Sequence, residues 1–175
     1  GIEQFIRAIE IVHNSIPYVI GVIAGAGDFT SYEKLINSKD LFRIENRFIP
    51  DREVSEFFSR ASIIVMPYTK GSQSGIISIA ASFKKPVVAT NVGHFSEMII
   101  NGETGLLVEP NNPKALAKAI EKLILDDNLR HKMGENAYKY MNDNFSWRRV
   151  AEKTYRIYAD AIGIFCKTKL SLSGS

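Results

Sequence analysis

The chain has 175 residues, 45% of them hydrophobic, which suffices for one domain with a buried core. Its 22 basic and 19 acidic side chains leave a formal net charge of +3, too small to indicate a nucleic-acid-binding protein. The single cysteine, Cys166, excludes an intrachain disulfide, and the apolar runs are far shorter than the roughly 20 residues that cross a bilayer.

Alternating helix and strand patterns occupy the first two thirds of the chain. Ile2, Phe5, Ile6 and Ile9 repeat at helical spacing, which predicts a helix over residues 2–15 that is already in progress at the first residue, as in a fragment. The other predicted helices are residues 30–37, 52–60, 75–84 and 95–100, and the predicted strands are residues 18–24, 43–49, 62–66, 86–90 and 106–108. Short connections between them predict an open, parallel, Rossmann-like α/β sheet with helices on both faces.

The last third of the chain is predicted to be helical. Asn112 followed by Pro113 predicts a helix start. Two further helices are expected over residues 128–142 and 146–162, the second with Ser146 as N-cap and a buried side formed by Val150, Ile157, Tyr158 and Ala161. We therefore expect one α/β domain with a helical C-terminal segment over residues 1–163, followed by a tail over residues 164–175.

Ligands of open parallel sheets bind at the carboxyl ends of the strands, so the loops that follow the strands are the candidate sites. The most informative is the loop over residues 68–75, which is small, polar and opens a helix. Free amides at Ser74, Gly75 and Ile76 would attract phosphate, and Lys70 could add a charged contact. The simpler interpretation is that serine and glycine only cap the helix. A Walker loop is excluded, because no Lys-Ser/Thr pair follows Gly75.

Two other loops carry weaker signals. Gly25-Ala26-Gly27 has the start of a dinucleotide fingerprint, but the third glycine is replaced by Thr30, so a tight turn is the preferred interpretation. His94 follows Gly93 at the same edge, where an imidazole could contact a sugar or phosphate, although a loop histidine is more often simply solvated.

Five short motifs stand in a fixed order along the predicted sheet. They are residues 19–27, Phe48-Ile49-Pro50-Asp51, residues 61–67, residues 86–93, and Gly102-Glu103-Thr104-Gly105-Leu106 within residues 102–110. Their order and spacing resemble the C-terminal domain of the family 4 (group 1) retaining glycosyltransferases, over about residues 1–163. Asn144-Phe145-Ser146-Trp147 also resembles the family's entry to its last helix. The resemblance implies the donor-binding half of a GT-B fold, which has two Rossmann-like domains.

The resemblance also implies how a donor would be held. Backbone groups near Phe48 and Ile49 would face the nucleotide base, and the helix start at Ser74-Gly75-Ile76 would hold the pyrophosphate. The remaining candidates are Gly71, Ser72, Gln73 and His94 for the donor sugar or ribose, with Gly25 and Gly27 at the same edge. The family's first strand is expected to precede Gly1, which would leave one position of the sheet unfilled.

Two glutamates of the family are absent from this chain. A gapless alignment anchored on Pro67 and Pro86 places Gly71 and Ile79 where the family has glutamates for the donor sugar and the ribose. The string Ser72-Gln73-Ser74-Gly75 resembles a variant among bacterial members, with Ser72 and Gln73 as substitute polar groups. A working variant is therefore preferred over an inactive protein.

The resemblance implies transfer of a sugar from a UDP-, GDP- or ADP-sugar to an acceptor with retention of configuration, in bacterial polysaccharide or glycoconjugate synthesis. No metal or other cofactor is expected, because Lys70 and the loop amides could stabilise the leaving diphosphate. No catalytic residue can be assigned, and the fragment alone is expected to be inactive.

The expected partners are the donor, the missing N-terminal domain and an acceptor glycan or lipid-linked sugar, with no nucleic acid. We expect a cytoplasmic protein or one peripheral to the inner face of the membrane.

Three alternatives differ in what they require. A silent nucleotide-sugar-binding subunit is motivated by Gly71 and Ile79. A nucleotide-sugar epimerase of related fold needs an acid and base pair that the sequence does not locate. A dinucleotide oxidoreductase is least supported, because the glycine fingerprint fails at Thr30.

Overall fold

A computed structural model describes the backbone of residues 1–71 and 73–172 and the side chains of residues 1–71 and 73–163. The chain forms two compact units, Gly1–Tyr138 and Lys139–Ser175. The helices are α1 Ile2–Ser15, α2 Thr30–Glu33, α3 Asp51–Arg60, α4 Ile76–Ser82, α5 Phe95–Met98, α6 Pro113–Leu125, α7 Asp127–Phe145 and α8 Trp147–Leu172, with a 3-10 turn at Lys39–Leu41. The strands are β1 Gly21–Ala24, β2 Phe42–Glu45, β3 Ile64–Met66, β4 Val87–Thr90 and β5 Gly105–Val108.

The predicted alternation of parallel strands and helices is confirmed, but the strands fall into two sheets. β1 pairs with β2 in one sheet, and β3, β4 and β5 follow one another in the other. Every pairing is parallel, with Val22 opposite Arg43 and Val88 between Val65 and Leu106. No ladder joins β1 to β3 within the described residues. The first sheet is therefore attached to the second through the helices.

The core lies where α1 packs against α6. Ile6 and Val12 of α1 and Leu116 and Leu123 of α6 are almost completely buried, in one cluster with Val88 of the central strand β4. All four residues of β4 are buried. The helical periodicity predicted the apolar stripe of each helix, but not that the two stripes pack against each other.

Several boundaries differ from the predictions for local reasons. β1 begins at Gly21 instead of residue 18, since Tyr18 and Ile20 are exposed by 73% and 54% and only four residues pair with β2. α2 ends at Glu33, not at residue 37. The Asn112 cap is confirmed, because its Oδ1 accepts a hydrogen bond from Ala115 N at 3.0 Å.

The second unit corrects two predictions about the last helix, its end and its buried side. α8 begins after Ser146, as expected, but ends at Leu172 instead of residue 162. The side predicted to be buried is exposed, with Val150, Ile157 and Tyr158 at 43%, 68% and 66%, and Ala161 is exposed as well. Amphipathic spacing shows that a helix has an apolar face, but it does not show what covers that face.

The last three residues of the predicted tail lie outside the described residues. Along the described chain, no helix is both long enough and apolar enough to pass through a membrane.

Candidate functional site

The carboxyl ends of both sheets lie at one edge of the first unit. Thr90, the last residue of β4, donates from Oγ1 to the carbonyl of Tyr68, just beyond β3, at 2.6 Å. The start of α1, which leads into β1, lies beside the same place: a Cβ built on Gly1 would come within 1.6 Å of the Pro67 carbonyl oxygen. Because α1 runs back toward the amino end of β1, its start marks the carboxyl edge of that strand.

The loop that follows β3 is supported at several points. The Tyr68 ring packs edge-on against the buried Phe95 ring, with 5.5 Å between centroids. The Tyr68 hydroxyl lies 3.4 Å from Ser74 Oγ. Ser74 Oγ in turn accepts a hydrogen bond from the Ile76 amide at 3.3 Å. A chain of contacts thus runs from the end of β4 through Tyr68 to the first turn of α4.

These contacts refine the predicted phosphate-binding set. The Ile76 amide already has an acceptor in Ser74 Oγ, so the capping interpretation accounts for that one group. Gly75 is exposed at the N-cap of α4, with φ −65° and ψ −15°. Lys70, Gly71 and Gln73 are exposed on the same loop, and Ser72 lies outside the described residues. Gly75 and Lys70 are therefore the exposed members of the predicted phosphate-binding set, whereas Ser74 and Ile76 are partly buried.

The glycine turn after β1 supports the tight-turn interpretation. Gly25 has φ +147°, a conformation that side chains rarely adopt. Its amide donates to the Glu45 carbonyl at 3.1 Å, and the Gly27 amide donates to Asn46 Oδ1 at 3.2 Å. Both glycines join the end of β1 to the end of β2, at the ligand edge of the sheet.

The Phe48 loop is held by an ion network that sequence reasoning missed. Phe48 is 75% exposed, and its carbonyl accepts a hydrogen bond from Arg47 Nη1 at 3.3 Å. Arg47 also pairs with Glu53 at 2.5 Å and with Glu45 at 3.4 Å, while Arg43 Nη2 lies 3.1 Å from Glu45. The alternating charges from Arg43 to Arg47 were the available signal. The network fixes Arg47 and presents the Phe48 ring to solvent.

The network shifts two titrating groups. Hydrogen bonds from Arg43, and then from Arg47, lower the pKa of the Glu45 carboxyl. The carboxylate of Glu53, and then that of Glu45, raises the pKa of Arg47. Elsewhere at this edge, the Thr30 amide lowers the pKa of Asp28, whose Oδ1 accepts from it at 3.0 Å.

Acidification is expected to destabilise the chain partly through Glu45. The folded pKa of Glu45 lies below its unfolded pKa. The carboxylate therefore adds its full share to the free energy of unfolding above about pH 4.3, and this share is lost as the pH falls through the folded pKa. Between pH 6 and pH 3, the urea concentration at the midpoint of unfolding should therefore fall less for Glu45→Gln than for the parent chain. The control is Glu109→Gln, an exposed glutamate with no ion pair among the described residues, which should retain the parent slope. Equal slopes for all three chains would contradict the role of Glu45.

His94 lies where the sequence placed it, directly after Gly93, whose φ is +54°. It is exposed at the start of α5, and its Nε2 lies 4.0 Å from Glu97 Oε1. Phe95 beside it is fully buried and anchors this turn against Tyr68. The structure therefore positions His94 next to the loop after β3. Over residues 1–71 and 73–163, no three His, Cys, Asp or Glu side chains are grouped as metal ligands.

Comparison with known proteins gives the class. Residues 1–140 match the family described as Glycosyl transferases group 1. A D-inositol 3-phosphate glycosyltransferase from Paenarthrobacter aurescens (strain TC1) is 31% identical over 170 residues, which cover 93% of this chain and 41% of that protein. The chain therefore spans about two fifths of that relative.

Two solved structures show the same fold. The C-terminal domain of the group 1 glycosyl transferase LpcC from Francisella tularensis superposes with a TM-score of 0.75 at 24% identity, covering 84% of this chain and 80% of that one. TarM from S. aureus, solved with Fondaparinux, α-GlcNAc-glycerol and UDP, has a TM-score of 0.78 at 22% identity, covering 90% and 32%.

The architecture is thus that of the C-terminal half of a GT-B glycosyltransferase. The chain belongs to the group 1 glycosyl transferases.

Proposed function

We propose that this chain is the donor-binding half of a retaining glycosyltransferase that uses a nucleoside diphosphate sugar. The observation that carries the proposal is the supported loop after β3, which leads from Tyr68 to the exposed N-cap Gly75 and also carries the exposed Lys70. A helix start with an accessible amide and a nearby cation suits a diphosphate. The presence of UDP in the TarM structure supports the same ligand class here.

The candidate residues divide by the part of the donor they would contact. The diphosphate is assigned to Lys70, Ser74, Gly75 and Ile76, the base to Phe48 and Ile49, and the sugar or ribose to Gly71, Ser72, Gln73 and His94. Ile76 acts indirectly in this assignment, because its amide holds Ser74 Oγ. The exposed Phe48 ring offers an apolar surface for a nucleobase.

The chemistry proposed for this half is charge stabilisation. As the bond between the anomeric carbon and the diphosphate oxygen breaks, negative charge grows on the leaving group. The fixed Gly75 amide and the Lys70 ammonium would stabilise that charge. No metal is assigned to this site, and no general base is assigned, since the acceptor would be held by the other GT-B half.

The two positions that lack the family glutamates favour one rival. Gly71 is exposed and Ile79 is 37% exposed, so a carboxylate at either position could have faced a ligand. A silent nucleotide-sugar-binding subunit is therefore the second candidate. Sugar transfer by the full-length protein would exclude it, while nucleotide binding without transfer or donor hydrolysis would favour it. The epimerase alternative needs an acid and base pair that faces a bound sugar. At this edge His94 Nε2 and Glu97 Oε1 lie 4.0 Å apart, but neither group is assigned that role.

The acceptor and the cellular setting follow from the same proposal. We assign the acceptor to a glycan or lipid-linked sugar of polysaccharide or glycoconjugate synthesis, at the cytoplasmic side of the membrane. The partner that completes the active site is the N-terminal GT-B domain.

The direct test is calorimetric titration of the chain with UDP, GDP and ADP and with their glucose conjugates. Saturable binding of one diphosphate, in preference to the other two, is the expected result and would identify the donor class. A folded chain that binds none of them, and fails again within the full-length protein, would contradict the proposal.

A further inference from the structure

The Tyr68 residue is fixed by several contacts that do not use its hydroxyl. Thr90 Oγ1 donates to the Tyr68 carbonyl at 2.6 Å, which ties this backbone to the buried strand β4. The ring packs edge-on against the fully buried Phe95. A Cβ built on Gly71 would lie 3.7 Å from Tyr68 Cδ1, so the loop after β3 passes beside the same ring. Phenylalanine could make all of these contacts, so the hydroxyl needs an explanation of its own.

The Tyr68 hydroxyl has its contact with Ser74. The two side-chain oxygens lie 3.4 Å apart, and both residues are partly buried. Ser74 Oγ also accepts a hydrogen bond from the Ile76 amide at 3.3 Å. A serine hydroxyl has two acceptor lone pairs and one hydrogen to donate. If Tyr68 donates to Ser74 Oγ, both lone pairs of the serine are occupied, and its own hydrogen points away from Tyr68 and Ile76.

The pair of hydroxyls has one hydrogen left over, whichever of them donates to the other. The spare hydrogen belongs to Tyr68 when Ser74 donates, and to Ser74 when Tyr68 donates. A hydrogen bond to an anionic oxygen is roughly twice as strong as one between neutral groups. A diphosphate held beside Ser74 and Gly75 would therefore favour donation from Tyr68 to Ser74, because this arrangement directs the serine hydrogen to the anion.

We propose that Tyr68 is a positioning residue of the donor site, whose hydroxyl donates to Ser74 Oγ and thereby holds Ser74 as a hydrogen-bond donor to the diphosphate. The inference rests on the proposed function, which assigns the diphosphate to this loop. Tyr68 itself would not touch the ligand. It would connect Ser74 to Thr90 at the buried end of β4.

The chain without nucleotide tests the contact between Tyr68 and Ser74. Tyr68→Phe keeps the ring contacts and removes only the hydroxyl, so Ser74 Oγ is held less firmly. NMR should show the Ile76 amide exchanging with water faster by roughly 2- to 10-fold, the contribution of one neutral hydrogen bond. Ser74→Ala removes the acceptor of that amide, and the double variant should exchange no faster than Ser74→Ala alone. Unchanged Ile76 exchange in Tyr68→Phe overturns the proposal.

A double-mutant cycle tests the step from Ser74 to the ligand. The probe is whichever of UDP, GDP and ADP the parent chain binds most tightly, and calorimetry measures its affinity. Tyr68→Phe should weaken binding by roughly 2- to 10-fold when Ser74 is present. It should have no further effect in the Ser74→Ala background, because the residue through which it acts is then absent. Weakening of the same size in both backgrounds is the result of a purely structural role and contradicts the proposal, as does weakening in neither.

Tyr32→Phe is the matched control for removal of a tyrosine hydroxyl. Tyr32 also packs against a buried phenylalanine, Phe29, with 5.6 Å between ring centroids, but its hydroxyl has no hydrogen bond within the described residues. This variant should bind and exchange like the parent chain, and weakening as large as that of Tyr68→Phe would count against the proposal. Failure of the donor site itself gives a different result, since the parent chain would then bind none of the three diphosphates.

Discussion

Gly75→Pro is expected to weaken binding of the preferred nucleoside diphosphate by roughly 10- to 100-fold, the effect of losing one hydrogen bond to a charged group. Proline removes the Gly75 amide. The backbone can accept the substitution, because φ at this position is −65°, the value that the proline ring imposes. A Cβ at Gly75 would meet no atom within 4 Å. Isothermal calorimetry at constant ionic strength measures the change.

The matched control is Gly75→Ala, which adds the same Cβ and keeps the amide. Its affinity should remain close to that of the parent chain, and thermal unfolding should show that both variants are folded. If both variants bind as tightly as the parent chain, the Gly75 amide does not contact the diphosphate. Equal weakening by both would attribute the effect to added bulk instead of to the lost donor.

Gly134→Ala is expected to destabilise the first unit by about 2–3 kcal/mol, in the range measured for overpacking. A Cβ at Gly134 would lie 2.0 Å from the Lys84 carbonyl oxygen, a backbone atom that cannot rotate away. Glycine here lets α7 approach the turn after α4, where Lys84 has φ +53°. Lys84 also pairs with Glu135 at 3.0 Å, so the two segments are held in contact. Thermal unfolding should report a fall of roughly 2–4 °C per kcal/mol.

Gly163→Ala is the control for helix propensity. Gly163 also lies within a helix, but a Cβ there would meet nothing within 4 Å. Alanine is favoured over glycine in a helix interior by about 1 kcal/mol, so this variant should be as stable as the parent or more stable. A stabilised Gly134→Ala would show that α7 does not pack closely on the Lys84 turn.

The sequence predicted the elements of this fold better than their assembly. α1 and α6 are amphipathic, and Asn112-Pro113 marks a helix start through local chemistry, so both features could be read directly. The division of the strands into two sheets depends on which strand edges meet, and no local pattern encodes that. α8 shows the same limit, because its spacing revealed an apolar face but not its exposure.

The candidate site was predictable in position but not in contacts. The rule that ligands bind at the carboxyl ends of parallel strands selected the loops containing Gly25, Phe48, Gly75 and His94. The contacts that hold those loops are long-range, such as Thr90 to Tyr68 across 22 residues. Tyr68 showed no signal of its own in the sequence, since its role depends on the position of Ser74 and Phe95.

The exposed apolar face of α8 sets the conditions in which this chain can be studied. Trp147 is 88% exposed and Tyr155 74%, and both lie on one helix with Ile157, Tyr158 and Ile162. Contiguous apolar surface of this kind promotes self-association in water. Affinities and unfolding midpoints would then vary with protein concentration by mass action. Titrations and melting curves should be recorded at low protein concentration, and a dilution series should be used to separate self-association from nucleotide binding.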